Sequence, residues 1–339
     1  MTIVAPRLAI IIPCFNYARY VGRAIESVVS QGRHDIELLV IDDGSTDDSW
    51  QVIRGYGLAK AYRVPNGGPL KACLVAARHT EAGFILVLDA DDELKPGSLD
   101  RIIPLLTPEV AKLQFTLSLI DRDGQVFGDP APKLQDFRSR LPLMQEIRVT
   151  GSYTNPPTSG NVFRRDVFDL LQEVDYECYV DGVTLFAAPF LGEVVSLSDQ
   201  LGSYRLHGSN ASGVGAKPNA GKIHTEMLRF VARLNHLRRV LDDRGLAQDI
   251  PPAEDTFFHR ERSLYLAIAE GRRPSVSQVI GVLATLRRQP MPIKRKTALA
   301  VLALASLALP PRRAAPLLAY RLSPGARSAS GLLRKLVTG

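Results

Sequence analysis

Short apolar runs alternate with helical patterns along the first part of the chain. The apolar runs lie at residues 8–12, 37–41 and 84–88, and each has the length of a buried strand. Between the first two runs, apolar residues recur at helical spacing over residues 18–31, and two further helical patterns follow. Strands that alternate with helices in this way predict an α/β domain, with a mostly parallel, Rossmann-like sheet and helices on both of its faces.

Polar, turn-forming residues follow each of these strands. The first strand leads into residues 13–17, the second into residues 42–47 and the third into the acidic residues 89–92. Because the carboxyl ends of parallel strands meet at one edge of a sheet, we expect the three loops to form one ligand site. No G-x-G-x-x-G pattern follows the first strand, which argues against a conventional nicotinamide-dependent dehydrogenase.

The third loop concentrates negative charge. Asp89, Asp91 and Asp92 follow directly on a buried strand, and carboxylates held this close repel one another unless a cation neutralises them. Mg²⁺ and Mn²⁺ prefer oxygen ligands and often bridge one or two carboxylates to substrate phosphates. The cluster therefore predicts a metal–diphosphate site, with an ordinary acidic turn as the alternative.

The rest of the chain carries weaker patterns. Residues 112–120 and 193–197 predict two further strands. Residues 150–161 are rich in Gly, Ser, Thr, Asn and Pro, and predict a loop near the site. Residues 222–246 have the apolar spacing of a long amphipathic helix, so that the chain after the α/β domain is expected to be helical.

The cysteines exclude two kinds of protein. Cys14, Cys73 and Cys178 are far apart in the sequence, without the paired spacing of a zinc site or a disulfide framework. They predict small buried side chains in a reducing cytosol. The chain also lacks a basic segment followed by an apolar one at its start, the pattern of a secretion signal.

Charge is distributed unevenly along the sequence. The 339 residues have a formal net charge of +7, but residues 260–339 hold 15 Lys and Arg against two acids, and the preceding residues are mildly acidic. Within the basic part, the apolar residues 297–309 are too few to span a bilayer as a helix.

The basic region predicts a surface partner. Apolar helices flanked by cations fit attachment to an anionic membrane through residues 287–335. A helical subdomain or an oligomer contact with solvated cations is the alternative. Nucleic acid is a poorer partner, because few aromatic residues are interleaved for base stacking.

Four motifs carry a resemblance to a known family. They are, in order along the chain, IIPCFN (11–16), VIDDGSTD (40–47), NGG (66–68) and LDADD (88–92). Together they resemble the inverting, nucleotide-sugar-dependent glycosyltransferases of family 2, over about residues 7–212. The resemblance implies a GT-A domain over residues 1–215, followed by a basic helical region over 216–339.

The resemblance implies a nucleoside-binding side. Asp43 matches the carboxylate that holds the nucleoside in the family, with Asp42 as a weaker candidate. Pro13 and Asn16 are expected to shape the loop beside the nucleoside, and Asn16 fits a helix cap equally well. Asn66, in the third motif, is expected to lie on the same donor side.

A metal and diphosphate side is implied as well. Asp91 is similar to the direct ligand of a Mn²⁺ or Mg²⁺ ion, and Asp89 to a residue that contacts the ribose or a metal-bound water. His207 is expected to complete the metal shell, and Arg205 and Lys71 to meet the phosphates. A structural hydrogen bond for His207 and a solvated position for Lys71 are the alternatives.

The general base is expected outside the four motifs. Asp181 matches the carboxylate that removes the proton from the acceptor hydroxyl, with a helix-capping role as the alternative. Two departures from the family pattern accompany it. Val180 stands where many relatives carry a second acid, and Leu74 where an Asn is common.

The expected activity follows from the resemblance. It is transfer of a sugar from a nucleotide diphosphate donor, with UDP favoured, to a saccharide or lipid-linked acceptor in bacterial surface polysaccharide synthesis. The expected location is the cytoplasm, peripheral on the inner face of the cell membrane; an oligomer is compatible with the sequence. A metal-dependent nucleotidyltransferase and a non-catalytic nucleotide-sugar-binding scaffold are the alternatives.

Overall fold

A computed structural model describes residues 7–130, 132–207, 219–246, 249–289 and 291–322. The chain divides into two compact units. Unit 1 comprises Met1–Met144 and Thr154–His207, and unit 2 comprises Gln145–Tyr153 and Gly208–Gly339. The domain boundary predicted between residues 215 and 216 lies outside the described residues.

Unit 1 is built on one mixed sheet. Within the described residues its strands are β1 (Leu8–Cys14), β2 (Ile36–Asp42), β3 (Ala61–Arg63), β4 (Phe84–Val87), β5 (Glu93–Leu94), β6 (Val110–Ile120), β7 (Phe137–Ser139), β8 (Asn161–Arg164) and β9 (Glu193–Arg205). The three strands predicted at the start of the chain are thus confirmed as β1, β2 and β4. The strand predicted at 193–197 is part of a longer one.

The order of the strands across the sheet is β3-β2-β1-β4-β8-β6-β9-β5, with β7 also paired to β9. Among the described strands, β1, β2, β3, β4, β6 and β9 share one direction, while β5, β7 and β8 run against them. The predicted α/β fold with a mostly parallel sheet is therefore confirmed. The carboxyl ends of β6 and β9 consequently reach the same edge as those of β1, β2 and β4.

Helices of unit 1 connect these strands. They are α1 (Val21–Val29), α2 (Ser49–Gly55), α3 (Pro69–Ala77), α4 (Ser98–Ile102), α6 (Arg165–Phe168) and α7 (Val183–Leu191), while α5 (Leu141–Thr150) runs from unit 1 into unit 2. A helix after Asp181 was implied by the capping alternative for that residue, but the bounds of α7 were not predicted. Nearly all of its residues are apolar and all but the last are buried, so it has no helical periodicity.

The core of unit 1 lies on both faces of β1, whose seven residues are all buried. Helix α1 contributes the buried face that its spacing predicts. Cys14 and Cys73 are buried free thiols, as expected, but Cys178 is exposed, so the prediction for that residue is wrong. It lies in the irregular segment before α7, where no strand or helix turns its side chain inward.

Unit 2 is helical in its described part. Besides the end of α5, it contains α8 (Ala220–Asp243), α9 (Phe257–Ala269), α10 (Val276–Leu286), α11 (Ile293–Ala308) and α12 (Pro311–Leu322). The long helix predicted at 222–246 is α8. Side chains from α8 to α12 form a separate apolar core around Tyr265 and Leu302. No helix among the described residues has both the length and the apolar character that crossing a membrane requires.

A close backbone contact at the start of β9 gives a test of the fold. A Cβ atom on Gly192 would lie 2.6 Å from the carbonyl oxygen of Glu109 and 2.9 Å from Cβ of Ala111. We expect Gly192→Ala to lower the free energy of unfolding by about 1–3 kcal/mol, because the backbone of the neighbouring segment must move. Urea denaturation measures the change. Gly83→Ala is the control, since its Cβ would meet no atom within 4 Å; equal stabilities for the two variants would contradict the packing described.

Candidate active site

The loops after β1 and β2 interlock at the carboxyl edge of the sheet. Asp43 N donates to Cys14 O at 2.8 Å, which joins the two strand ends. Asn16, with a left-handed φ of 58°, donates from its backbone to Ser45 Oγ at 2.9 Å and accepts from Thr46 N at 2.8 Å. Its side chain therefore connects two loops, and the N-cap of α1 is Tyr20 instead. The helix-cap alternative for Asn16 is wrong.

Asp43 is buried and holds the third motif in place. Its two carboxylate oxygens accept from Gly67 N and Gly68 N, each at 2.8 Å. Gly68 has a φ of 88°, a conformation that favours glycine. A carboxylate has about four acceptor positions. A nucleoside contact by Asp43 would thus have to use the positions that the two amides leave.

Asp42 lies below this loop and is fully buried. Its Oδ2 forms an ion pair with Arg63 Nε at 3.0 Å, and its Oδ1 accepts from Ser45 N at 3.3 Å. Arg63 also donates to Ser45 O at 2.7 Å. Asp42 therefore shapes the loop after β2 from within the protein, and its side chain is not exposed to a nucleotide-sugar donor.

The other predicted donor residues differ in exposure. Pro13 is buried within β1, where it pairs with Ile41. Asn66 and Lys71 are exposed, and the aliphatic part of Lys71 packs on Gly67. Of these three residues, Asn66 and Lys71 have side chains that are exposed to a nucleotide-sugar donor, and Pro13 does not.

Asp92 anchors the acidic turn and is fully buried. One carboxylate oxygen accepts from Ser159 Oγ at 2.6 Å and the other from Arg205 N at 2.9 Å. Ser159 Oγ also accepts from Asp89 N at 3.1 Å. The segment predicted as a loop near the site thus supplies the hydroxyl that fixes the turn after β4. No motif in the chain predicts this contact.

Arg205 supports the same turn from beneath. The side chain is fully buried, and it donates to Asp91 O at 2.8 Å, to Asp121 O at 3.0 Å and to the carboxylate of Glu93. The prediction that Arg205 meets the diphosphate therefore conflicts with this structure. The sequence alone could not distinguish diphosphate binding from support of the turn. Every residue has a backbone carbonyl, so no sequence pattern shows which carbonyl oxygens an arginine will contact.

Asp91 faces the rings of His207 and Tyr17. Of these two residues, only His207 was predicted to act beside Asp91 in a metal shell. His207 Nε2 lies 2.8 Å from Asp91 Oδ2, and the Tyr17 hydroxyl also bonds to Asp91. Burial, and then the charges of Asp91 and Asp89, raise the pKa of Tyr17, so that its hydroxyl stays a donor. Tyr20 stacks on His207 with a ring separation of 5.2 Å. Tyr17 directly follows the first motif, and that position was the only available signal.

Burial and mutual repulsion oppose ionisation of two carboxyl groups at the site. Burial, followed by the charges of Asp91 and Asp181, raises the pKa of Asp89 well above its usual value. Burial and the charges of Asp91 and Asp89 raise the pKa of Asp92, against the opposing hydrogen bonds from Ser159 and Arg205. These shifts arise because ionised carboxylates are crowded in a place with little solvent.

A divalent cation fits this donor set in one particular way. Among the described residues, no three His, Cys, Asp or Glu side chains are arranged as a ready metal site. Asp91 and Asp89 nonetheless offer carboxylate oxygens at one turn, and Mg²⁺ is commonly held by one or two carboxylates together with substrate phosphates. The residues therefore fit an ion that arrives with a diphosphate.

Asp181 comes to the same place from a distant part of the chain. It lies close enough to Asp89 for its charge to raise the pKa of that residue. The preceding segment is tied to α3 by Leu70 N, which donates to Cys178 O at 3.0 Å. Helix α7 begins at Val183 with Gly182 as its N-cap, so Asp181 is one residue outside the cap.

Comparison with known sequences identifies relatives of this chain. Residues 9–169 match the sequence model of Glycosyl transferase family 2. An uncharacterized glycosyltransferase of Nostoc sp. (strain PCC 7120) is 34% identical over 60% of this chain and 66% of its own length. The chondroitin synthase of Pasteurella multocida is 35% identical over 37% of this chain, which spans only 14% of that enzyme.

A third relative is matched over more of both chains. It is the GalNAc(5)-diNAcBac-PP-undecaprenol beta-1,3-glucosyltransferase of Campylobacter jejuni, at 24% identity over 70% of this chain and 77% of its length. Among solved structures, residues 1–349 of S. aureus TarS in complex with UDP-GlcNAc superpose with a TM-score of 0.54 at 17% identity, over 93% of this chain and 91% of that one. This likeness supports the fold assignment.

The raised pKa of Asp89 predicts a dependence of stability on pH. The carboxyl group of Asp89 binds its proton more tightly in the folded state than in the unfolded state, where the pKa of an aspartate is about 3.9. The contribution of Asp89 to the free energy of unfolding therefore falls as the pH rises from this value through the raised pKa of the folded state. We expect Asp89→Asn to gain stability over the wild type at pH 7, and the gain to shrink near pH 4. Urea denaturation at both pH values tests this, with the exposed Asp175→Asn as control. A gain that does not change with pH would contradict the assignment.

The fork of Arg205 predicts a loss of stability when it is replaced by lysine. A lysine ammonium cannot reach Asp91 O, Asp121 O and Glu93 at the same time, so buried acceptors lose their donors. We expect Arg205→Lys to lower the free energy of unfolding by about 3 kcal/mol. Arg122→Lys, at an exposed arginine of the neighbouring turn, is the control. Equal midpoints in urea for both variants would contradict a supporting role.

Proposed function

The chain belongs to glycosyl transferase family 2, and on that premise we propose that it is an inverting glycosyltransferase. It transfers a sugar from a nucleotide diphosphate donor to a hydroxyl group of a saccharide or of a lipid-linked acceptor. The observation that carries the proposal is that Asp181 lies close enough to Asp89 for its charge to act on that residue's pKa, because this combines a candidate base with a candidate leaving-group site.

The donor side is assigned to the exposed edge beside the acidic turn. Asn66 and Lys71 are exposed there, on the loop that Asp43 holds and on the helix that follows it. The Lys71 ammonium would meet the phosphates as a positive charge. A UDP-sugar is the favoured donor, and the complex of the similarly folded TarS domain with UDP-GlcNAc supports this choice.

Asp91 and Asp89 are the residues that would hold Mn²⁺ or Mg²⁺. When bound with the donor, the ion supplies Lewis-acid stabilisation of the departing nucleoside diphosphate. His207 and Tyr17 orient the Asp91 carboxylate through their hydrogen bonds. Ser159 and Arg205 fix the backbone of the turn, so that the carboxylates keep their places when the charge of the substrate changes.

Asp181 is proposed as the general base. Its carboxylate takes the proton from the acceptor hydroxyl as that oxygen bonds to the anomeric carbon, while the bond from this carbon to the diphosphate breaks. A single displacement inverts the anomeric configuration and needs one base. A saccharide or a lipid-linked molecule would supply the hydroxyl, and the Campylobacter relative supports a lipid-linked acceptor. Such an acceptor would place the enzyme on the cytoplasmic face of the membrane, in surface polysaccharide synthesis.

Two substitutions test the mechanism. We expect Asp181→Asn to lower kcat by about 10²- to 10⁴-fold with little change in the donor KM, because only proton removal is lost. Asp91→Ala should instead abolish the stabilisation that Mn²⁺ and the donor together give to the folded protein. The donor is first selected by thermal stabilisation with UDP-, GDP- and dTDP-sugars, and transfer is then followed with isotope-labelled sugar.

The controls and contrary outcomes are specific. Asp175→Asn, at an exposed aspartate, should leave both readouts unchanged. Full activity in both Asp181→Asn and Asp91→Ala would refute the mechanism. Nucleoside monophosphate on the acceptor would indicate a nucleotidyltransferase, and donor binding without any transfer would indicate a scaffold.

A further inference from the structure

The helical unit has a surface of one charge. Residues 271–322 contain ten Lys and Arg and no acidic residue. Most of these cations are exposed and lie at the ends of helices α9, α10, α11 and α12. A segment with this composition attracts anionic partners over about a Debye length.

Part of the apolar run 297–309 is packed in the core of unit 2. Ala298, Leu299, Leu302 and Ala303 of α11 are buried in the core of unit 2, and Leu304 is exposed. The expected attachment through residues 287–335 therefore cannot use the buried side chains of this run. Packing between helices accounts for the apolar character of those buried residues.

A compact basic corner joins α10 to α11. We define it as Arg287, Arg288, Ile293, Lys294 and Arg295, all of which are exposed. Its two sides are held together by Lys296 Nζ, which donates to Arg287 O at 3.0 Å. Ile293 is 74% exposed and lies in the sequence between the two arginines that follow α10 and the cations that open α11. An exposed apolar side chain among cations is the combination that membrane-surface helices use.

Helix α10 has exposed apolar side chains on a face that leads to the basic corner. Val276 and Ile280 are 58% and 60% exposed, and their spacing of four residues places them on one face of the helix. Ala284 and Arg287 continue this face at helical spacing and are also exposed. The face thus runs from two apolar side chains to the basic corner.

We propose that the basic corner and the adjoining face of α10 dock on the surface of an anionic lipid bilayer. The guanidinium and ammonium groups meet the lipid phosphates, while Ile293 enters the boundary between headgroups and acyl chains. Nucleic acid is disfavoured, because Tyr320 is the only aromatic residue of 271–322 and stacking platforms are needed to hold single strands. The proposal concerns unit 2 and does not depend on the chemistry proposed for unit 1.

Flotation of the full-length protein with vesicles tests the proposal. The protein should float with vesicles that contain phosphatidylglycerol and remain unbound with phosphatidylcholine alone, and its binding should weaken as salt is added. Arg287→Glu combined with Arg288→Glu should lower the partition coefficient at least about tenfold, because each cation near the surface contributes to binding. Ile293→Ser should weaken the part of the binding that persists at high salt.

The control has the same change of charge at another place in unit 2. Arg239→Glu combined with Arg244→Glu alters two exposed arginines of α8 and its cap, and it should bind vesicles nearly as well as the wild type. Thermal denaturation of each variant establishes that it is folded, and transfer to a soluble acceptor should be unaffected. Equal losses in the two double variants, or wild-type binding that salt does not weaken, would overturn the proposal. So would an absence of vesicle binding in a protein that binds RNA through the corner.

Discussion

The crowding of carboxylates after β4 is the constraint on which the rest of unit 1 depends. Asp89, Asp91 and Asp92 lie in one short turn, and burial followed by mutual repulsion raises the pKa of Asp89 and of Asp92. The turn is stable only because donors reach it from several distant segments. They are the hydroxyls of Tyr17 and Ser159, the ring of His207, and the guanidinium and backbone amide of Arg205.

Strands β8 and β9, in the second half of the sheet, position the hydrogen-bond donors Ser159 and Arg205. Strand β9 ends at Arg205, and its antiparallel pairing of Ser203 with Glu93 on β5 brings that strand end under the acidic turn. The antiparallel strand β8 leads from the loop that carries Ser159 back into the sheet beside β4. The residues proposed to meet the substrate thus depend on a buried layer that never touches it.

In unit 2, aliphatic and cationic residues that are interspersed along the sequence lie in different places in the structure. Alanine and leucine side chains of α11 fill the core between helices, while the arginines and lysines remain at the helix ends. Burying the aliphatic groups is favourable, and burying an uncompensated cation is costly, so the sorting follows from the free energies of transfer. What remains outside is a cationic surface with a few exposed aliphatic side chains.

The sequence by itself determined the α/β order, the strands β1, β2 and β4, the long helix α8 and the convergence of loops at one sheet edge, because periodicity and strand direction are local properties. The bounds of helix α7 were not predicted, because complete burial erases periodicity. Tertiary structure alone decided that Asp42 and Arg205 are buried supports, that Asp43 holds Gly67 and Gly68, and that one side of α11 faces a core. Each of these depends on which distant atom satisfies a polar group or covers an apolar one, and spacing along the chain does not encode that choice.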